Sequence, residues 1–260
     1  MKIYLINLNR HPQRLERMEK LLQGLPFQRI SAVDGRTVPG PERRDHSRRT
    51  SRENLSRYDR ACTLSHRLAW ENFLAGTEKY ACILEDDIAL SPDFPKFVRD
   101  ESWIPKNGDL VKIETSGHKV MLSRETKKCL DRTAAVQFSI HYGTAAYIVS
   151  RKGAAGLLER TEVIDQPTDF LLFDEAAARR HFPIYQLCPA LCVQGSNRPD
   201  GITIPEMRSA IQPAPLAKRK TVLQRIGLEC ARPFLQLSSA ARIFFRQKRL
   251  RARRGAVPFA

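Results

Sequence analysis

The chain has 260 residues, of which 42% are apolar and 28% charged, and carries a formal net charge of +16. That balance supports a folded core and excludes a fibrous or disordered chain, and no apolar run approaches the roughly 20 residues that cross a bilayer. The charge is uneven: residues 218–260 hold twelve Lys and Arg against one acid, Glu229, a net +11, which leaves +5 for the first 217 residues.

The opening MKIYLINLNRHPQR has a short apolar stretch bounded by Asn9 and Arg10 and no small-residue cleavage site. Residues 2–8 therefore read as a buried strand and not as a signal peptide. Leu15, Met18, Leu21 and Leu22 follow at helical spacing until Gly24 and Pro26 stop the run, and 27–33 form a second strand closing on Asp34-Gly35. Strand, helix, strand predicts a βαβ unit, and with it an α/β fold whose mostly parallel central sheet is flanked by helices. Residues 36–60, rich in Arg, Ser and Pro, read as a mobile, solvated loop. Its Arg43, Arg44, Arg48 and Arg49 would face acidic acceptor sugars, lipid phosphates or water.

Leu64, Leu68, Ala69 and Phe73 make a helical stripe over 62–76. Residues 80–91 read as an apolar strand running into three acids, 110–114 as a further strand, and 145–160 as strand then helix. Residues 167–180 look like a loop entering a helix, and 184–194 a last strand region. The Pro- and Ala-rich stretch 198–217 is expected to be a linker. The chain thus divides into a domain over 1–197, that linker, and a basic tail over 218–260. Six cysteines at 62, 82, 129, 188, 192 and 230 contain no CxxC pair. They are expected to be reduced thiols in the cytoplasm, with core packing favoured over zinc for Cys188 and Cys192.

ILEDDIALS is the most informative segment. Glu85, Asp86 and Asp87 follow Cys82-Ile83-Leu84, so they sit where a buried strand emerges, and ligands of open α/β sheets gather beyond strand ends. Carboxylates crowded there repel one another, and a divalent cation, Mn²⁺ or Mg²⁺, relieves that repulsion while bridging to substrate phosphates. Side-chain alternation points Glu85 and Asp87 to one side. Asp87 is the expected metal ligand, with Glu85 on the metal or on a ribose. An acidic turn with no ligand, or a phosphoryl-transfer or nuclease site, would use the same residues.

Six segments in order, INLNRHPQR (6–14), AVDG (32–35), CTLSHRLAW (62–70), ILEDDIALS (83–91), GTAAYIVSRKGAAGLL (143–158) and PTDFLLF (167–173), resemble glycosyltransferase family 25 over about residues 2–195. The resemblance implies a GT-A type nucleotide-binding sandwich in which the acids form a DXD-like motif. It also implies inverting transfer of a sugar, commonly galactose from UDP-galactose, with Mn²⁺ as the usual metal, in lipopolysaccharide or lipooligosaccharide synthesis. Inversion needs a base for the acceptor hydroxyl, and Asp169 is the candidate, with a plain helix N-cap as the alternative.

For the donor, the residues singled out are Asn7, Arg10, Arg14, Asp34, Ser65, His66, Glu85, Asp86, Gly143 and Thr144. Arg10 and Arg14 suit a phosphate or a uracil edge, or a solvated helix face. Asn7 and Asp34 suit base or ribose, though Asp34 also suits a plain turn. Ser65 and His66 open a helix where His66 would meet phosphate or acceptor, or simply pack. Trp70 reads as core. Gly143 and Thr144 would let the backbone approach a ligand. Where the family carries Gly-Glu-x-Gly ahead of CxLSH, this chain has Tyr58-Asp59-Arg60-Ala61, a change expected to reshape a loop beside the donor.

In the tail, Leu223, Ile226, Leu228, Phe234, Leu235, Leu237, Ile243, Phe244 and Phe245 interleave with Arg, a pattern suited to helices lying on an anionic membrane surface. Gly227 and Pro233 divide it into two pieces. Peripheral attachment to the inner face of a bacterial inner membrane, near a saccharide or lipid-linked glycan acceptor, is the expectation; a disordered basic extension is the alternative. A nucleic-acid-binding protein would explain the charge but not the acids, and no such motif is visible. A non-catalytic sugar-nucleotide binder remains a third reading.

Overall fold

A computed structural model describes residues 1–42, 55–174, 183–195, 245 and 247–260. Its first strand, β1 (Lys2–Asn7), is buried on both faces, with Ile3 and Leu5 turned to one core and Tyr4 and Ile6 to another. Such two-sided burial is why the run is continuously apolar. Pro12 starts α1 (Pro12–Leu21), which buries Met18, and β2 (Phe27–Ser31) returns parallel to β1. The predicted βαβ unit is present.

Helix α2 (Arg57–Ala75) begins earlier than the sequence reading placed it. Ser56 caps it, its Oγ accepting from the Asp59 N–H at 3.1 Å, and Leu55 and Ser56 are buried. The expected loop over 36–60 therefore ends before Ser56, and Tyr58-Asp59-Arg60-Ala61 is a first helical turn rather than a loop. Ser-x-x-Asp at 56–59 is the overlooked start signal. Arg43, Arg44, Arg48 and Arg49 lie outside the described residues.

Next come β3 (Tyr80–Glu85), β4 (Ile88–Leu90), α3 (Phe94–Arg99), β5 (Leu110–Lys112) and β6 (Glu114–Thr115). They are followed by β7 (Lys119–Cys129), β8 (Arg132–Gln137), β9 (Ala146–Ser150), α4 (Arg151–Arg160), α5 (Thr168–Phe173), β10 (Ile184–Cys188), β11 (Cys192–Gln194) and β12 (Ala252–Ala256). Nine strands form one sheet in the order β12-β7-β8-β10-β5-β9-β3-β1-β2, and β4-β11-β6 form a small second sheet. One core packs α1 and α3 on the large sheet through Met18, Phe94 and Phe97; the other packs α2, α4 and α5 through Trp70, Phe73, Leu157 and Phe173.

The expectation of a mostly parallel sheet is corrected. In the large sheet, among the described residues, only β1–β2, β1–β3 and β5–β10 run parallel; β9 lies antiparallel between β3 and β5, and β7, β8, β10 and β12 join through antiparallel pairs. The physical cause is connection length. Only Leu130 and Asp131 join β7 to β8, too few for the crossover a parallel pair needs. The reversal of β9 matters for the site, because it brings the residues just before β9 to the end where β3 finishes. There the Glu85 N–H donates to the Ala145 carbonyl at 2.8 Å.

The tail reading is corrected at its far end. β12 pairs antiparallel with β7, so Ala252–Ala256 join the large sheet, and the Ala260 carbonyl accepts from Arg132 Nη2 at 2.7 Å, which ties the end of the chain to the same domain. Arg253 and Arg254 stay exposed on this edge strand and Arg251 just before it, and this charge protects the edge from further pairing. The linker 198–217 and residues 218–244 lie outside the described residues. Among the described residues no helix is long and apolar enough to cross a membrane.

Candidate active site

The carboxyl end of β3, the end of β1 and the first turns of α2 border a cleft. Arg10, Arg14, Tyr58, Ser65 and His66 line it together with Glu85, Asp86 and Asp87. β3 ends at Glu85, so Asp86 and Asp87 turn out of the extended chain, and strict alternation does not decide where they point.

Each acid has a different environment. Glu85 Oε1 accepts from Thr144 Oγ1 at 2.6 Å and lies 3.2 Å from His66 Nε2. Burial works to raise its pKa, but these contacts and the charge of Lys112 outweigh it and hold the group below the ordinary range. Asp86 is answered inside the protein, by Asn7 Nδ2 at 2.7 Å and Arg14 Nη1 at 3.0 Å. Among the described residues Asp87 has a neutral donor, Gln194 Nε2 at 3.0 Å on Oδ2, and its buried Oδ1 meets no hydrogen-bond partner there. Burial, then the charges of Glu85 and Asp86, push its pKa up to about 8.

Metal capacity follows from this. Among the described residues the one group of three ligand types with its atoms within 4.8 Å is Cys62, His66 and Glu85. Burial pushes the Cys62 thiol up, so it is no ready thiolate, and Glu85 is already engaged there. Asp87 offers what that group lacks, a bare oxygen in an excess of negative charge. An oxygen-seeking cation fits it, since Mg²⁺-like ions commonly take one or two carboxylates and complete their shell with phosphate and water.

Asp169 sits at the start of α5. It is not the N-cap, which is Pro167; its Oδ1 accepts from its neighbour Phe170 N–H at 3.0 Å and its Oδ2 from the Gly143 N–H at 3.4 Å. Burial raises its pKa against the opposing effects of that amide and of Lys112. Gly143 has φ +90° and lies against Glu114, so a side chain there would be both strained and crowded. The next residue, Thr144, is the one bonded to Glu85. Asp169 and Glu85 are thus joined through two consecutive residues.

Lys112 and Glu114, which the sequence reading passed over, support that turn. Both are fully buried; Lys112 Nζ pairs with Glu114 Oε2 at 3.0 Å, donates to the Gly143 carbonyl and stands 4.1 Å above the Phe173 ring, while Glu114 Oε2 accepts from the Ala145 N–H at 3.0 Å. The sequence reading took 110–114 as one strand and assigned these two residues no role. The break at Ile113, which sends Glu114 into the small sheet, gives no sign in the sequence. Tyr147 was also missed: its hydroxyl accepts from Trp70 Nε1 at 2.8 Å and lies 2.9 Å from His66 Nδ1, fixing the imidazole from behind. Trp70 is core, as expected.

Several donor candidates are otherwise occupied. The Asn7 amide is spent on Asp86, His11 and Arg29, so it orients the acid triplet rather than facing a nucleotide. Asp34 is held far below the usual carboxylate range by Arg36 and then Arg10. Ser65 Oγ accepts from the Val33 N–H at 2.9 Å and donates to the Ala61 carbonyl. Arg10 and Arg14 do line the cleft, each with a carboxylate partner.

The family model described as Glycosyltransferase family 25 (LPS biosynthesis protein) matches residues 1–172. The chain belongs to that family. Its relatives include the lacto-N-neotetraose biosynthesis glycosyltransferase LgtE of Neisseria meningitidis serogroup B, 29% identical over 65% of this chain and 61% of that one. The corresponding LgtB of N. meningitidis serogroup A is 29% identical over 65% and 62%. The lipooligosaccharide biosynthesis protein lex-1 of Haemophilus influenzae is 27% identical over 66% and 62%. The chain therefore spans about three fifths of the length of these relatives. Within this family-25 chain, the matched stretch ends inside α5, just past Asp169, and so holds all three cleft acids and Lys112, Glu114 and Gly143 as well.

Proposed function

We propose that this chain is an inverting glycosyltransferase, moving a sugar, galactose in the first instance, from a UDP-sugar to a saccharide in lipopolysaccharide or lipooligosaccharide synthesis. The observation that carries it is Asp87, a buried carboxylate with a bare oxygen and a pKa near 8 at a strand end that opens on a cleft. Arg10 and Arg14 each already face a carboxylate, so a diphosphate would bring negative charge that these guanidiniums do not answer by themselves, and a cation at Asp87 would answer it. A divalent ion, Mn²⁺ or Mg²⁺, held by Asp87 would supply Lewis-acid stabilisation of the charge on the departing diphosphate.

The protein's own residues then have distinct tasks. Asp169 takes the acceptor hydroxyl proton as that oxygen bonds to the anomeric carbon and the bond from that carbon to the diphosphate oxygen breaks. Its raised pKa makes it a stronger base than an exposed aspartate. Glu85, fixed by Thr144 and His66, faces the donor sugar or ribose, and Arg10 and Arg14 flank the phosphates. Names of the relatives support the reaction class and the glycan pathway. The GT-A type of sandwich is proposed on the same grounds, with the acid triplet as its DXD-like motif.

The charge of segment 218–260, with Arg251, Arg253 and Arg254 exposed at the sheet edge, supports peripheral placement on an anionic membrane facing the cytoplasm. Vesicle binding that salt reverses, and that disappears when Lys218, Arg219 and Lys220 become Gln, is the expected result.

UDP release from a panel of nucleotide sugars, with and without Mn²⁺, tests the main reading. Metal-dependent release that needs an acceptor and is abolished by Asp87→Asn supports it. UDP binding without turnover of any donor would leave a sugar-nucleotide binder instead.

A further inference from the structure

Three aromatic rings from three separate segments converge beside Asp169. Tyr142 is 45% exposed, and Leu21, Val163 and Phe245 are the other large hydrophobics so exposed among the described residues. Its ring centroid lies 5.8 Å from that of His118, edge to face, and 6.0 Å from that of Phe170, tilted. His118 comes from the turn between β6 and β7, Tyr142 from the approach to β9, and Phe170 from α5. His118 is exposed and Phe170 half-buried.

The chain itself ties this cluster to the chemistry. Phe170 directly follows Asp169, and Tyr142 directly precedes Gly143, whose N–H donates to Asp169. From the cleft outward the order is Glu85, Thr144, Gly143 with Asp169, and then the Tyr142 ring. Tyr142, His118 and Phe170 do not line the cleft that holds the acid triplet.

We infer that Tyr142, flanked by His118 and Phe170, is the platform on which a pyranose ring of the acceptor saccharide stacks, with its attacking hydroxyl turned to Asp169. The inference rests on the transferase reading and adds where the acceptor binds. A sugar ring has one face of C–H bonds and a rim of hydroxyls, and an aromatic ring with a polar handle at its edge matches both. The size of the patch favours a sugar over a protein. One exposed ring among Gly117, His118 and Lys119 is far smaller than the contiguous apolar area of a protein interface. Uracil stacking is the competing use of such a ring, but the base belongs with the diphosphate in the cleft, and Tyr142 is not there.

Saturation-transfer NMR with methyl β-galactoside, methyl β-glucoside and methyl N-acetyl-β-glucosaminide, in the presence of UDP and Mn²⁺, tests this without turnover. Tyr142→Ala should lose transfer to the ring protons of the glycoside that wild type binds, and Tyr142→Phe should keep it. UDP affinity by calorimetry should be the same in all three proteins. In turnover, acceptor KM should rise roughly 3- to 10-fold for Tyr142→Ala at unchanged UDP-sugar KM, the range of a single aromatic contact. Equal transfer in wild type and Tyr142→Ala, no glycoside binding by wild type, or weakened UDP binding in Tyr142→Ala overturns the platform. Failure of the transferase reading shows separately, as wild type that never releases UDP, whatever the glycosides do.

Discussion

Arg14 Nη1 lies 3.0 Å from Asp86 Oδ1, and both side chains are nine-tenths buried. The middle acid of the triplet is thereby neutralised by the fold, with Asn7 on its other oxygen. What remains for a ligand is the pair on either side, and of these Glu85 is already hydrogen-bonded by Thr144. Removing one partner of such a pair strands a buried charge. Arg14→Met should cost roughly 3–5 kcal/mol in urea unfolding, whereas the double variant with Asp86→Asn should recover much of it. Equal losses in the single and double variants would show that the pair is not coupled.

Asp87 has the opposite balance. Its pKa near 8 means that the folded protein holds this carboxylate against Glu85 and Asp86 at a cost. Because the folded value lies above the unfolded one of about 3.9, stability from this group is greatest at low pH and is lost as pH rises toward 8. Asp87→Asn should therefore abolish turnover yet stabilise the metal-free protein at pH 8 by about 0.5–2 kcal/mol. Thermal melts at pH 8 decide this. A lower Tm in the variant would mean that the site is not repulsive.

How much of this was legible in the sequence depended on range. β1, β3 and β9 announced themselves as apolar runs because the sheet is covered on both faces, and the acids announced themselves by falling at the end of one. Asp169, the proposed base, was singled out by its motif. Partners were not legible, because pairing across 72 or 79 residues, as between Asp86 and Arg14 or Asn7, leaves no local trace. β7 was missed because Arg124 to Lys128 are all exposed and polar, and β12 because an edge strand of Ala-Arg-Arg-Gly-Ala has no apolar alternation. Lys112 was not singled out, because its pairing with Glu114 depends on the break at Ile113.

That buried Lys112 makes its own prediction. Its ammonium holds the Gly143 carbonyl and neutralises Glu114, whose Oε1 meets no hydrogen-bond partner among the described residues. Lys112→Met should destabilise the fold by roughly 3–5 kcal/mol, as for any half-removed buried pair. Lys112→Met with Glu114→Gln should be closer to wild type in stability but still poor in turnover, since the Gly143 turn that positions Asp169 has lost its anchor. Recovery of kcat along with stability in the double variant would reduce the pair to a packing role.

With Asp169 as the proposed base, turnover should depend on pH. A general base must be ionised, so activity is present above its folded pKa and falls as pH drops through it. Burial places that pKa above the ordinary aspartate value near 3.9, while the Gly143 N–H and Lys112 keep the rise in check. With Mn²⁺ saturating, so that protons no longer compete at Asp87, log(kcat/KM) should fall with unit slope on the acid side, from a midpoint above that of a free aspartate. Removing the nearby cation favours the neutral carboxyl, so a foldable Lys112 variant should move the midpoint to higher pH. Asp169→Asn should remove the limb together with the activity, while UDP and Mn²⁺ still bind. A limb that persists unchanged in Asp169→Asn, measured on its residual rate, would assign the base to another residue.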